Sequence, residues 1–391
     1  MKEIPSQIYL VLKILKENDY EGYLVGGAVR NLLLKRKIDD FDITSNASVN
    51  VVKALFNNYP LYQTGIVHGT VTVLIDNLKI DITTFRSDVN YIDHRHPETV
   101  IFGDNLKDDL KRRDFTINAM CLDIDDNLID EYDGVSDLNN KLIRAIGDPN
   151  TRFYEDALRI LRALRFSSKL NFDIEIKTKE AMFNNKDLLN FISMERKKDE
   201  LLKILDNKDN RQNNINNYLE IYNTFIPFKK VDETVNNFSN AYFALAYLLS
   251  KTDGYSLKKL KFSRKEINLL DALIEATKTN IKEDYNFISL LSNENSQDIL
   301  AYLSQLYNIN LNARYLDLKP YMVNRNTIEI NGQDLMKFGY YGEDIKIILN
   351  KLIDKIHHKE INNQHNALIK YLNDKWYNRW VWKLEILKIS N

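Results

Sequence analysis

The sequence predicts a turn-rich α/β head followed by an extended helical remainder, and three features carry that reading. Eight of the twelve glycines fall at or before Gly147, so tight turns are concentrated at one end of the chain. Residues 23–44, YLVGGAVRNLLLKRKIDDFDIT, pass from strand to helix to strand within one short unit. Beyond residue 207, apolar residues recur at helical spacing between Asn-rich joints, as in FALAYLLSK and LDALIEATK. At 391 residues the chain exceeds one ordinary core and divides into two to four domains. No internal repeat emerges.

Bulk properties bound the function classes. The 54 basic and 55 acidic residues nearly cancel, so a nucleic-acid partner has to be met by a local basic surface. A single cysteine, Cys121, excludes an internal disulfide and suits a reducing compartment. There is no N-terminal basic-plus-apolar signal and no apolar run of bilayer length, so the expectation is a cytoplasmic protein without membrane contact.

The 23–44 unit organises the rest. Tyr23 to Val25 read as a strand, Gly26 and Gly27 open a helix carrying Arg30, and a second strand bears Asp40 and Asp42. Side chains two apart on a strand share a face, so the two carboxylates project together while Phe41 and Ile43 face the other way. A helix start behind glycines offers free N–H groups and the positive dipole end to an anion. Paired carboxylates beside a phosphate cradle suggest nucleotidyl transfer with divalent metals bridging the two.

The flanking elements follow in order. Ser6 to Asn18 have the spacing of a core-covering helix, and Ser48 to Phe56 form another, capped by Ser48 or Asn46. Thr70–Ile75 and Lys79–Phe85 make a hairpin about an Asp-Asn turn. Asp81 on its return strand is either a third carboxylate for the pair or a solvated strand residue. Arg86 to Asn105 read as a long loop, in which His94 and His96 lack the neighbours a zinc site needs. A short helix carrying Arg112 and Arg113 then leads into a strand from Thr116 to Ile124.

Thr151 to Lys169 read as one continuous helix. At about 100° per residue, Asp156 and Arg159 are neighbours, Arg162 lies further round, and Arg165 points roughly opposite Asp156. The pair is either an i,i+3 salt bridge or a rigid acceptor–donor edge able to pair with a nucleobase. ISMERKKDELLKILDN forms a helix capped by Ser193. Pro320 and Asn324 to Asn326 mark a boundary, and INGQDLMKFG opens a last helical unit. The end interleaves aromatics with Lys375, Arg379 and Lys383, which suits a packed helix, an oligomer contact or an RNA clamp.

LVGGAVR with DFD, TGIVHGTVTV, RRDFTINAM, DGVSDL, EDALRILRALRF and ISMERKKDEL occur in the order and approximate spacing of a known family. By these motifs the chain resembles the class II tRNA nucleotidyltransferase / poly(A) polymerase family, in particular its bacterial CCA-adding members. The resemblance is dense through the first 205 residues and thins beyond. It implies a polymerase-β-like nucleotidyltransferase head with a mixed sheet (1–140), then a helical neck (141–206), body (207–322) and tail (323–391) in a seahorse shape. It implies addition of C, C and A to tRNA 3′ ends from CTP and ATP, without a nucleic-acid template. Asp40 and Asp42 would hold Mg²⁺, with Asp81 a further catalytic candidate. Gly27 and Arg30 would contact the triphosphate and Arg113 the nucleotide. Asp156 and Arg159 would read the base, with Arg162 and Arg165 completing the pocket. The tRNA would be met at its 3′ end and along acceptor stem and elbow; a homodimer is left open.

Departures from the family pattern are Asn31 for Asp, Lys35 for Gly, His96 for Arg, and Lys197 for an apolar residue. None removes a metal ligand or the base-reading pair. Alternatives are a CC- or A-adding specialist, a poly(A) polymerase, or a non-catalytic RNA-binding protein. The intact carboxylate pair speaks against the last.

Overall fold

The computed structural model describes residues 4–62, 69–91, 97–103, 105–252 and 255–376. It comprises two compact units, Met1–Lys230 with Lys259–Lys261, and Val231–Lys258 with Phe262–Asn391.

The first unit opens with α1 (Ser6–Glu17), whose Ile8, Val11, Leu12 and Leu15 are buried as their spacing predicts. There follow β1 (Gly22–Val25), α2 (Gly27–Leu33), β2 (Phe41–Ser45) and α3 (Val49–Leu55), the last capped by the Ser48 hydroxyl accepting from Val51 N–H. Then come β3 (Leu61–Tyr62), β4 (Thr70–Ile75), β5 (Leu78–Thr84), β6 (Arg86–Tyr91), β7 (Pro97–Phe102), α4 (Leu106–Lys111), β8 (Met120–Leu122) and β9 (Leu128–Asp130). Seven strands form one mixed sheet in the order β3-β4-β5-β2-β1-β8-β9, with β2 and β5 parallel and the other pairs antiparallel. The β4–β5 turn has Asp76 and Asn77 at φ 47° and 65°, the double left-handed geometry that Asp and Asn tolerate in tight hairpins. Val25, Leu110, Ala119, Cys121 and Ile146 pack as one cluster beneath this sheet edge.

Four expectations change. The 86–105 segment holds a β-hairpin, with Arg86 opposite Phe102 and Tyr91 opposite Pro97. Its charged residues dilute the two-residue alternation, so backbone pairing rather than composition orders it; His94 and His96 lie outside the described residues. The strand expected over 116–124 shortens to β8, because Thr116–Asn118 form a 3₁₀ turn. There Thr116 donates to Asp137 and Asn118 to Asp114, side-chain bonds that compete with a ladder. The helix expected over 151–169 is two, α6 (Pro149–Glu155) and α7 (Leu158–Leu170), after α5 (Gly134–Asn139). Asp156 breaks it, at φ −139° and ψ 100°, by accepting the Leu158 N–H on its own carboxylate. The unit continues through α8 (Ile176–Asn184) to α9 (Met194–Leu205). Ser193 is the residue before α9 as expected, but its hydroxyl makes no cap bond.

In the second unit, Ala241–Ser250 is buried almost all round, and Arg264–Lys278 starts with a full capping box of Ser263 and Glu266. Asn331 and Asp334 cap Gly332–Lys337 in the same way. Val323, Ile330, Leu335, Ile348, Leu352, Ile356, Leu368 and Leu372 share a separate core cluster. Arg379 and Lys383 lie outside the described residues. Among the described residues, no helix is long and apolar enough to cross a membrane.

Lys35, a departure from the family's usual glycine, ends α2 at φ 54°, where its N–H bonds Leu32 and the Arg36 N–H bonds Asn31. A left-handed residue at this position favours glycine by about 1 kcal/mol. Lys35→Gly is therefore expected to raise the unfolding free energy of the first unit by that amount and so to move its urea midpoint upward; an unchanged or lower midpoint contradicts it.

Candidate active site

The acidic side of the site is built by strand register. Asp42 on β2 stands directly opposite Asp81 on the parallel neighbour β5, so both carboxylates leave the same face of the sheet. Asp40 precedes β2 and is exposed. Asp42 feels both neighbours: desolvation raises its pKa first, Arg113 opposes, and the charges of Asp81 and Asp40 raise it further. Thr72 donates to Asp81 Oδ1 at 2.5 Å and fixes that carboxylate. Asp42 opens onto a cleft of about 250 Å³ whose polar walls are Thr70, Thr83, Arg86, Arg112 and Arg113.

Hard carboxylate oxygens suit a hard divalent cation. Among the described residues, no three His, Cys, Asp or Glu side chains converge closely enough to hold a metal by themselves. That donor set fits a cation that keeps waters and takes its remaining ligands from substrate phosphate, the habit of Mg²⁺ rather than of a caged metal.

The basic side comes from three places. Gly26, at φ 74° and ψ −128°, turns β1 into α2, and a β-carbon there would stand 3.2 Å from Arg113 Nη1. Gly27 is the first helical residue, with its N–H at the open helix end. Arg30 is buried in α2 and donates to Asn118 and, through Nε and Nη2, to Asn31 Oδ1 at 3.2 and 3.0 Å. Burial pulls its guanidinium down to about 10, against the pull of Asp114, and it stays charged at neutral pH. Asn31 passes the link on, its amide donating to the Lys37 carbonyl in the loop before Asp40.

Two buried carboxylates, neither of them among the expected site residues, hold the arginines. Asp109, fully buried, accepts from Arg112 Nε and Nη2 at 2.9 and 2.7 Å, from Arg113 Nη2 at 3.2 Å, and from Thr44 of β2 at 3.0 Å. Burial pushes its pKa up, but Arg113 and Arg112 outweigh this and hold it below the usual range. Asp114 accepts from Asn118 at 3.0 Å and from Arg162 Nε and Nη2 at 2.8 and 2.5 Å. The only signal for either was the run DDLKRRD itself.

The α7 arginines are brought to this region but not as one helix face. Arg159 is buried and donates through Nη2 to the Arg112 carbonyl at 2.8 Å, which ties it to the cleft wall. Its other contacts, Glu155 at 3.3 Å and the Arg152 carbonyl at 3.5 Å, are long. Asp156 does not pair with Arg159; its free carboxylate oxygen lies 3.6 Å from Arg196 of α9. Arg165 pairs with Glu200 of α9 at 3.1 Å. Arg196 and Glu200 are thus supporting residues that ISMERKKDEL contained without revealing their partners. Lys197 between them is buried, donating to the Leu189 carbonyl. Arg113 Nε and Arg196 Nη1 are buried with no partner among the described residues, donors that an anionic or base ligand would satisfy.

A glycine-opened helix end and arginines facing a strand edge of carboxylates are the arrangement expected of a nucleotidyltransferase of the class II type. Relatives bear that out. The family model described as "Poly A polymerase head domain" matches residues 22–144, and "Probable RNA and SrmB- binding site of polymerase A" matches 171–212. A CCA-adding enzyme of Lactobacillus helveticus is 35% identical over 93% of this chain and 96% of its own length. One from Staphylococcus aureus is 32% identical over 95% and 98%. The match to that of Lactobacillus johnsonii is higher, 50%, but spans about half of each chain, 52% here and 51% there. The crystal structure of the Bacillus stearothermophilus CCA-adding enzyme in complex with CTP superposes over 96% of this chain and 99% of its own, with TM-score 0.79 at 25% identity. The chain belongs to the CCA-adding enzyme family.

The Asp114 carboxyl sits at about 2, because Arg162, Asn118 and Arg159 together outweigh the desolvation that would raise it. A depressed pKa means stability that is complete above the unfolded value near 4 and lost as pH falls toward 2. The first unit should lose about 2 kcal/mol across that window through Asp114 alone. Urea denaturation from pH 6 to pH 2 should show the gap between wild type and Asp114→Asn closing there; a constant gap contradicts the assignment.

Proposed function

We propose that this chain completes tRNA 3′ ends, adding C, C and A from CTP and ATP without a nucleic-acid template and with Mg²⁺ as its cation. The observation that carries the reading is the Asp42–Asp81 register beside Asp40, at a cleft walled by Arg112 and Arg113. Full-length kinship with CCA-adding enzymes gives it the substrate class.

In this reading Asp40 and Asp42 hold the cation, with Asp81 orienting or sharing it. Bound there, Mg²⁺ supplies Lewis-acid polarisation of the α-phosphate and of the attacking 3′-hydroxyl. The chain's own part is positioning. The Gly27 N–H and Arg30 take the triphosphate, and Arg113, with its spare Nε, takes the nucleotide from the opposite wall. Asp156 and Arg159 read the base edge: Arg159 exchanges its two long contacts for the base, and Asp156 offers the oxygen that Arg196 holds loosely. Arg162 and Arg165 complete the nucleotide pocket. The four-part division at 140, 206 and 322, contact with acceptor stem and elbow, and a cytoplasmic home complete the proposal.

Asp42→Asn should abolish incorporation, at least a thousandfold, with an unaltered circular dichroism spectrum. Asp156→Ala should keep turnover but lose roughly 10- to 100-fold of the preference for CTP and ATP over UTP and GTP, the cost of unpaired polar groups at about 1–3 kcal/mol. An Asp156→Ala enzyme with wild-type preference would remove the base-reading role.

A further inference from the structure

Phe166 sits where arginines from two parts of the first unit meet. Its ring centroid lies 5.2 Å from the Arg30 guanidinium carbon, 5.6 Å from that of Arg162 and 4.6 Å from that of Arg165. Arg30 comes from α2, the other two from α7. The ring is buried, and Phe115 meets it edge-on, with centroids 5.8 Å apart at 80°. Phe115 directly follows Asp114, so the segment that supplies the carboxylate for Arg162 also fixes the ring beneath it.

Each guanidinium has a separate polar partner: Asn118 for Arg30, Asp114 for Arg162, Glu200 for Arg165. Three cations therefore face two carboxylates, and one positive charge is left over. An aromatic face attracts cations through its quadrupole without adding negative charge and without occupying their N–H edges. A third carboxylate in that place would hold the arginines equally well but would repel an anionic ligand. An aliphatic side chain would fill the space and leave the cations to repel one another.

We propose that Phe166 is a positioning residue for the nucleotide triphosphate, its ring gathering the guanidiniums of Arg30, Arg162 and Arg165 so that they bind phosphate as one group. This rests on the nucleotidyltransferase reading above. The role is independent of base identity, since the cations over the ring are Arg30, Arg162 and Arg165 and not the base-reading Arg159. Its signature is a common change for every nucleotide.

The test is graded fluorination of the ring in the full chain, replacing Phe166 by 4-fluoro- and then 3,4,5-trifluorophenylalanine, which weakens the quadrupole with little change of shape. The KM for CTP and for ATP should rise together at each step, several-fold by the trifluoro ring. The CTP-to-ATP ratio, the KM for tRNA and the thermal midpoint should stay at wild-type values. Phe166→Leu should raise both nucleotide KM values at least as far, and Phe166→Tyr should restore most of the loss. A flat KM across the fluorinated series, or a rise that only follows a falling thermal midpoint, overturns the proposal. If the wild-type chain incorporates neither nucleotide, the underlying reading fails, and this inference fails with it.

Discussion

Buried carboxylates that hold arginines are the constraint on which the site depends. Asp109 ties Arg112 and Arg113 to Thr44 of the strand that carries Asp42, and Asp114 ties Arg162 to the turn that carries Asn118, the partner of Arg30. Guanidiniums so placed are costly to bury, and such pairs add little net stability over apolar packing. What they supply is geometry, because a paired and desolvated arginine has one orientation. The segment from Asp109 to Asn118 thereby connects the acidic strand edge to α7.

Around that segment the two halves of the chemistry are assembled by different means. The carboxylates depend on sheet register: one residue of slip between β2 and β5 would send Asp42 and Asp81 to opposite faces. The arginines depend on side-chain bonds between elements distant in sequence, Arg30 with Asn118, Arg162 with Asp114, Arg165 with Glu200. The break at Asp156 serves both. It frees that carboxylate from the helix and lets α7 start afresh with Arg159 directed at the Arg112 carbonyl.

Local pattern made much of this legible. The strand–Gly-Gly–helix–strand unit, the β4–β5 hairpin with its Asp-Asn turn, and α3 with Ser48 at its start all follow from periodicity and turn chemistry within a few residues. Three things stayed hidden because side-chain bonds or strand pairing, which apolar spacing and composition do not report, decide them. The break in 151–169 looks helical by apolar spacing, and only the Asp156 side chain ends it. The 86–105 hairpin is ordered by pairing its composition conceals. Asp109, Asn118, Arg196 and Glu200 look like surface residues until their partners are known. The departures divide similarly: Asn31 finds a role in donating to Lys37, whereas Lys35 carries a strained backbone that glycine would relieve.

The measurement that reaches the central claim most directly uses the purified chain with Mg²⁺ and three tRNA transcripts, ending before CCA, after C and after CC. CTP and ATP are given separately and together. The account predicts that all three ends are completed to CCA and that no further nucleotide follows. Long A tails on any RNA, or no incorporation at all, would contradict it, and arrest at CC would point instead to a CC-adding specialist.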